Sequence, residues 1–167
     1  MKRVRWLSGL FLTGMLCVML GTVGAQVAQA QRPIPLAELQ CLLRSGDWSS
    51  DKRDISVGRQ IYTTVSYIKP DTTMTCRLPG GAASLRFEFA IPDTSQAPPA
   101  RIDVYVDGNQ VASRTGDRGK VNTMLVNISN GKSLAVEVFC ARATNCGDRY
   151  WFMKAQLEPG ASSPGSR

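Results

Sequence analysis

Residues 101–114 read RIDVYVDGNQVASR, a stretch in which apolar and polar residues alternate on both sides of a turn. Ile102, Val104 and Val106 are separated by polar residues, the spacing of a β-strand with one buried face. An Asp-Gly pair at 107–108 follows, and these residues tolerate the positive φ angles of a two-residue hairpin turn. The stretch therefore predicts a β-hairpin whose neighbours must pair with it.

The rest of the chain repeats this pattern in short segments. In residues 84–91, Phe87 and Phe89 fall on the same face as Leu85 and Ile91, so a shift of one residue would expose both phenylalanines. The Asn-Gly pair at 130–131 is a second turn signal and predicts another hairpin. Further strands are predicted at residues 56–68, 74–78, 121–128, 133–140 and 150–157.

Only one segment has a helical spacing. Leu36, Leu39, Leu42 and Leu43 follow Pro35, which favours the first position of a helix, so the sequence predicts one short helix over residues 36–44. The predicted fold is all-β, an antiparallel β-sandwich of the jelly-roll type with this short N-terminal helix.

The N-terminus has the composition of a secretory signal peptide. Three basic residues precede an apolar run over residues 6–23, and small residues end at Ala30. We expect cleavage near Ala30, a mature β-sandwich domain over residues 31–158 and a disordered tail over residues 159–167. A retained membrane anchor is the alternative. After cleavage we expect no membrane association, and a bacterial protein that is secreted, periplasmic or bound to the cell surface.

The cysteines fit this compartment. Cys17 lies in the leader, and an even number remains after cleavage, which in an exported chain favours disulfides. The four remaining cysteines can pair in three ways; because Cys140 and Cys146 lie close in sequence, we expect them to pair with each other and Cys41 to pair with Cys76. A zinc site would be the alternative, but the chain has neither a CxxC motif nor a histidine.

Composition excludes several classes of function. The net charge of +7 falls to +4 without the leader, and basic residues are scattered, so we expect no nucleic-acid partner. Without histidine the chain lacks Ser-His-Asp and Cys-His catalysis, and we expect no enzyme. No cofactor is expected; a structural calcium held by loop oxygens around Asp93 or Asp148 is left open.

Four successive segments resemble NPCBM-type carbohydrate-binding modules over residues 84–157. They are LRFEF at 85–89, IDVYVDG at 102–108, LVNISNG at 125–131 and LAVEV at 134–138. The resemblance implies a galactose-binding-like jelly roll with a non-catalytic role. The loop CARATNCGDR at 140–149 departs from the family pattern, in which an acidic, His-containing loop precedes the Trp.

Sugar recognition needs an aromatic ring against the C–H faces of the sugar and planar polar groups for its hydroxyls. The candidate ligand-binding residues are Trp48, Tyr105, Arg142, Asp148, Arg149 and Trp151. Strand parity places Tyr105 on an outer side with Arg86, Glu88, Asp103, Glu137 and Phe139. The leading hypothesis is a secreted module that binds extracellular or cell-wall glycan. The alternative is an extracellular domain that binds a surface protein or has a structural role.

Overall fold

A computed structural model describes residues 32–80, 82–140 and 148–159, and this part of the chain is almost entirely β. Its strands are β1 (Ile34–Pro35), β2 (Cys41–Ser45), β3 (Trp48–Ser50), β4 (Asp54–Val57), β5 (Gln60–Thr63), β6 (Ser66–Ile68), β7 (Thr72–Arg77), β8 (Ala82–Ala90), β9 (Ala100–Val106), β10 (Asn109–Gly116), β11 (Asn122–Asn127), β12 (Ser133–Cys140) and β13 (Tyr150–Pro159).

The strands form two antiparallel sheets that face each other. The first has the order β11-β8-β13-β6-β3, and β1 adds to β13; the second has the order β10-β9-β12-β7-β2. The hairpin β4–β5 pairs with neither sheet. This arrangement confirms the predicted antiparallel β-sandwich.

One shared core fills the space between the sheets. Phe87, Phe89 and Phe152 of the first sheet pack with Val104 and Val136 of the second, and all of them are fully buried. The ring centroids of Phe87 and Phe152 lie 5.2 Å apart in an edge-to-face arrangement. The alternation in β8 therefore points its large side chains inward, as the sequence predicts.

The opening hairpin forms where it is predicted. β9 and β10 are joined by Asp107 and Gly108, whose φ angles of 48° and 82° belong to a primed turn. β9 also pairs with β12 on its other side, so this strand is central in its sheet. A bulge at Val111 interrupts the register of β10, an irregularity typical of edge strands.

The predicted N-terminal helix over residues 36–44 is wrong. A single 3₁₀ turn, Leu36–Glu38, is followed by β2, which pairs with β7. Leu36 is buried, whereas the side chain of Leu42 is 80% exposed, so the leucines do not share one buried face. Pairing with a neighbouring strand overrides the local helical spacing.

The second predicted hairpin is also wrong. β11 ends in the first sheet and β12 begins in the second, so the Asn-Gly pair at 130–131 lies in a connection between sheets. Asn130 has a φ of 65°, and Gly131 leaves room for a neighbour, because a Cβ there would lie 3.0 Å from Leu78 Cδ1. The dipeptide marks a turn, but the strands it joins pair elsewhere.

The Cys41–Cys76 disulfide is confirmed, and its two cysteines lie directly opposite each other on β2 and β7. Cys140 is disulfide-bonded, but the predicted Cys140–Cys146 pair includes a residue outside the described part of the chain. The predicted signal peptide and nearly all of the predicted disordered tail also lie outside it. Within residues 32–80, 82–140 and 148–159, no helix has the length and apolarity needed to cross a bilayer.

Candidate functional site

Two aromatic rings lie side by side on the outer face of the first sheet. Tyr67 of β6 is the register partner of Trp151 of β13, and Ala90 of β8 flanks Trp151 on its other side. The ring centroids of Tyr67 and Trp151 lie 5.4 Å apart. Trp151 is the second residue of β13, so the pair lies near one end of that strand rather than at the centre of the sheet.

The hairpin β4–β5 covers part of this pair. Ile55 and Val57 pack with Ala90 and Trp151 in a second, smaller apolar cluster, and Trp151 is only 5% exposed. Tyr67 packs against this cluster but is only partly buried. The hairpin therefore covers the indole of Trp151 and leaves the phenol ring of Tyr67 partly exposed.

A single carboxylate fastens the tip of this hairpin. Asp93 accepts hydrogen bonds from Ser56 Oγ at 2.7 Å, from Gly58 N at 2.9 Å and from Arg59 N at 3.1 Å. These donors, the Ser56 hydroxyl first, lower the pKa of the Asp93 carboxyl. The carboxylate therefore holds the hairpin against the loop that follows β8.

Charged side chains surround the rings. The Arg149 guanidinium carbon lies 4.4 Å from the ring centre of Tyr67 and 5.9 Å from that of Trp151, and the Arg53 carbon lies 4.7 Å from Trp151. Asp47 accepts a hydrogen bond from the Tyr67 hydroxyl at 3.2 Å. We call Asp47, Arg53, Tyr67, Arg149 and Trp151 the arginine–aromatic cluster.

The carboxylate of the cluster is held ionised. Lys69 Nζ lies 2.9 Å from Asp47 Oδ2, and this bond is the largest cause of a lowered pKa at Asp47. The hydroxyl of Tyr67 and the charge of Arg149 lower the Asp47 pKa further, against a partial loss of hydration. The cluster therefore presents an ionised carboxylate, a guanidinium and a partly exposed phenol ring together.

The structure brings together two of the six predicted ligand-binding residues, Arg149 and Trp151. The carboxylate of Asp148 turns away from the cluster, because it accepts hydrogen bonds from Ser95 Oγ and from the backbone N–H of Arg149. Trp48 lies on the core side, with its ring centroid 5.4 Å from that of Phe152. Arg142 lies outside the described residues.

Tyr105 lies on the opposite outer face of the sandwich, on β9. Its neighbours there include Asp103 and Glu137, which are register partners on adjacent strands. Asp103 is 4% exposed, accepts a hydrogen bond from Ser113 Oγ at 2.6 Å and forms an ion pair with Arg101 Nε at 3.2 Å. Loss of hydration, followed by the charge of Glu137, raises the pKa of Tyr105.

The outer-side set predicted around Tyr105 divides between the two sheets. Arg86 and Glu88 belong to β8 in the first sheet, where Arg86 Nε lies 2.6 Å from Glu158 Oε1 and Lys154 Nζ lies 2.9 Å from Glu88 Oε1. Parity within a strand gives the side on which a residue lies but not the sheet to which its strand belongs. These two residues therefore lie on the face opposite Tyr105.

Sequence reasoning missed three members of the cluster, Asp47, Arg53 and Tyr67. β6 spans only three residues, too few for alternation to indicate which face Tyr67 occupies. Asp47 and Arg53 lie in connections, and they reach the rings only because β3 and β6 pair. The aromatic residue in a β-rich segment just before a Lys-Pro turn is the one signal that could have identified Tyr67.

The two predicted calcium positions carry hydrogen bonds from the protein itself. Asp93 accepts the three bonds of the hairpin tip, and both oxygens of Asp148 accept bonds as well. Across the described ranges, no three metal-ligating side chains come together.

No protein-family model and no curated protein sequence matches this chain. Solved structures match its fold at low identity. The CBM51-2 and INT domains of Clostridium perfringens ZmpB, in complex with GlcNAc, align with a TM-score of 0.63 and 16% identity over 78% of this chain and 32% of that chain. This chain therefore spans about a third of that structure.

Two further structures match. The CBM51 of Clostridium perfringens GH95, in complex with methyl-galactose, has a TM-score of 0.61 and 14% identity over 75% of this chain and 99% of that chain. The tandem CBM51 modules of the family 98 glycoside hydrolase of Streptococcus pneumoniae have a TM-score of 0.51 and 8% identity over 76% of this chain and 44% of that chain. These likenesses establish a β-sandwich of the kind found in carbohydrate-binding modules.

Proposed function

We propose that the protein is a secreted, non-catalytic module that binds glycan through the arginine–aromatic cluster. The observation that carries the proposal is the partly exposed ring of Tyr67, flanked by the Asp47 carboxylate and the Arg149 guanidinium. An aromatic face and planar polar groups are the two elements that sugar recognition requires.

Two further features support this function. The fold is shared with modules solved with GlcNAc and with methyl-galactose, and residues 84–157 resemble NPCBM-type modules. The Cys41–Cys76 bond supports an oxidising compartment, in agreement with the signal-peptide composition of residues 1–30. The proposal includes removal of that segment near Ala30 and a location that is extracellular, periplasmic or at the cell surface.

A glycan array tests the proposal with a matched pair of variants. Tyr67→Ala removes the ring of the cluster, and Tyr105→Ala removes a partly buried tyrosine from the opposite face. We expect Tyr67→Ala to lower glycan binding about five- to tenfold, since stacked aromatic contacts contribute about 1 to 1.5 kcal/mol. Tyr105→Ala should bind as the wild type does. Equal binding by wild type and Tyr67→Ala, with both variants folded, would reject the assignment to this site.

The second candidate function is protein recognition by the edge strand β2. Leu42 is 80% and Leu43 48% exposed on this strand, which leaves one backbone edge of its sheet unpaired. This candidate would be favoured if the wild type bound no glycan on the array but captured one cell-surface protein, and if Leu42→Ser no longer captured that protein.

A further inference from the structure

Arg149 differs from the other cations around the rings in its electrostatic partners. Arg53 forms an ion pair with Asp51 at 2.6 Å, and Lys69 forms one with Asp47 at 2.9 Å. Within the part of the chain that the structure describes, no carboxylate oxygen lies within 4 Å of the Arg149 guanidinium. Among the described residues, the close contacts of this guanidinium are therefore with the rings of Tyr67 and Trp151.

Every acidic side chain of the sequence, 13 Asp and Glu in all, lies within the described residues, because residues 1–31, 81, 141–147 and 160–167 contain none. Asp148, the adjacent acid, directs its oxygens to Ser95 and to a backbone N–H. Asp47 lies in Coulomb range of Arg149 but is engaged by Lys69 and Tyr67.

The position of the guanidinium is favourable for an anionic ligand. Arg149 is only partly exposed, and its stacking on Tyr67 at 4.4 Å fixes the plane of the guanidinium before a ligand arrives. A guanidinium offers a fork of N–H donors that matches the paired oxygens of a carboxylate or a sulfate. Asp47 and the Tyr67 hydroxyl lie beside it, and a carboxylate of this kind accepts hydrogen bonds from sugar hydroxyls.

We infer that the glycan is acidic: a sugar bearing a carboxylate or sulfate group, whose anion pairs with Arg149 while its ring lies against Tyr67. This inference rests on the proposed glycan-binding function and names the class of sugar. It also gives a role to a guanidinium that forms no ion pair within 4 Å in the described part of the chain.

The test compares matched ligands and matched arginines. Oligosaccharides of galactose and of galacturonic acid with the same length, linkage and anomeric configuration differ only at C6, where a carboxylate replaces the hydroxymethyl group, and a sulfated galactan serves as a second anionic probe. Binding to the full chain is measured by calorimetry for wild type, Arg149→Gln, Arg149→Lys and Arg101→Gln. Arg101 is the control because it also stacks on a ring, Phe139 at 4.7 Å, but is paired with Asp103 on the opposite face.

We expect the wild type to prefer an anionic oligosaccharide, uronate or sulfated, over the neutral one. Arg149→Gln should lower that affinity about 10- to 100-fold, the range expected for hydrogen bonds to a charged group. Arg149→Lys should retain part of the affinity, Arg101→Gln should retain all of it, and salt should weaken binding. The uronate and sulfate arms identify which anion is preferred.

Two results would overturn the inference in different ways. Equal affinity for neutral and anionic oligosaccharides, or anionic binding that Arg149→Gln leaves intact, would reject the acidic sugar while the proposed glycan-binding function stands. Binding to no member of an array that contains neutral, uronate, sialylated and sulfated glycans would reject both. Thermal unfolding of each variant confirms that the loss of binding is not a loss of fold.

Discussion

Asp107 connects two parts of the second sheet through one carboxylate. It occupies the turn between β9 and β10, and it accepts hydrogen bonds from Ser133 N at 2.8 Å and Lys132 N at 3.0 Å at the start of β12. These backbone donors lower the pKa of Asp107. Asp107 therefore has two roles: it adopts the backbone conformation of the hairpin turn, and its carboxylate holds the start of β12.

Asp107→Asn removes this charge, so its stability relative to the wild type measures what the charge contributes. Because the folded-state pKa is depressed, the stabilisation is complete above the ordinary value of 3.8 and is lost as pH falls through the folded value. We expect Asp107→Asn to be less stable than wild type in urea unfolding at pH 7, and the difference to shrink at pH 3.

Asp117→Asn is the control for this measurement. Asp117 is 57% exposed in its side chain and pairs with Lys120 on the surface, where ion pairs contribute little. Its stability should match that of the wild type at pH 7. A deficit of Asp107→Asn that is equally large at both pH values would show that the carboxylate does not act through its charge.

The hairpin β4–β5 determines how much of the aromatic pair is open. Its inward residues Ile55 and Val57 lie over Trp151, while Ile61 on the returning strand is 78% exposed. Residues 61–68 are nearly all β-forming, so the sequence predicts strands within 56–68, but it does not show that β4 and β5 pair with neither sheet. The alternation in β8 is predictable because it continues along a strand of nine residues; the placement of a hairpin whose strands have four residues each is not.

Truncating the inward side of this hairpin should uncover the indole. We expect Ile55→Ala to lower the free energy of unfolding by about 2 kcal/mol, since it removes most of a buried side chain. It should also increase acrylamide quenching of Trp151 fluorescence. Ile61→Ala, on the exposed side of the same hairpin, should change neither quantity. Unchanged quenching in Ile55→Ala would mean that the hairpin does not cover Trp151.

The molecule as a whole shows why the fold is easier to predict than the site. The core depends on alternation within single strands, and Phe87, Val104 and Val136 can each be assigned inward from their own neighbours. The arginine–aromatic cluster depends on pairing between distant strands. Arg149 and Trp151 are predictable because they lie together in sequence, whereas Tyr67 reaches them only through the pairing of β6 with β13.

Titration of the ¹⁵N-labelled protein with the glycan that binds best on the array tests the location of the site most directly. Trp48 and Trp151 provide matched indole N–H reporters, one on the core side and one in the arginine–aromatic cluster. We expect the resonances of the Trp151 indole and the Tyr67 amide to shift with increasing glycan, and the resonance of the Trp48 indole to stay in place. Shifts confined to Trp48 or to the face around Tyr105, with Trp151 unchanged, would contradict this location of the site.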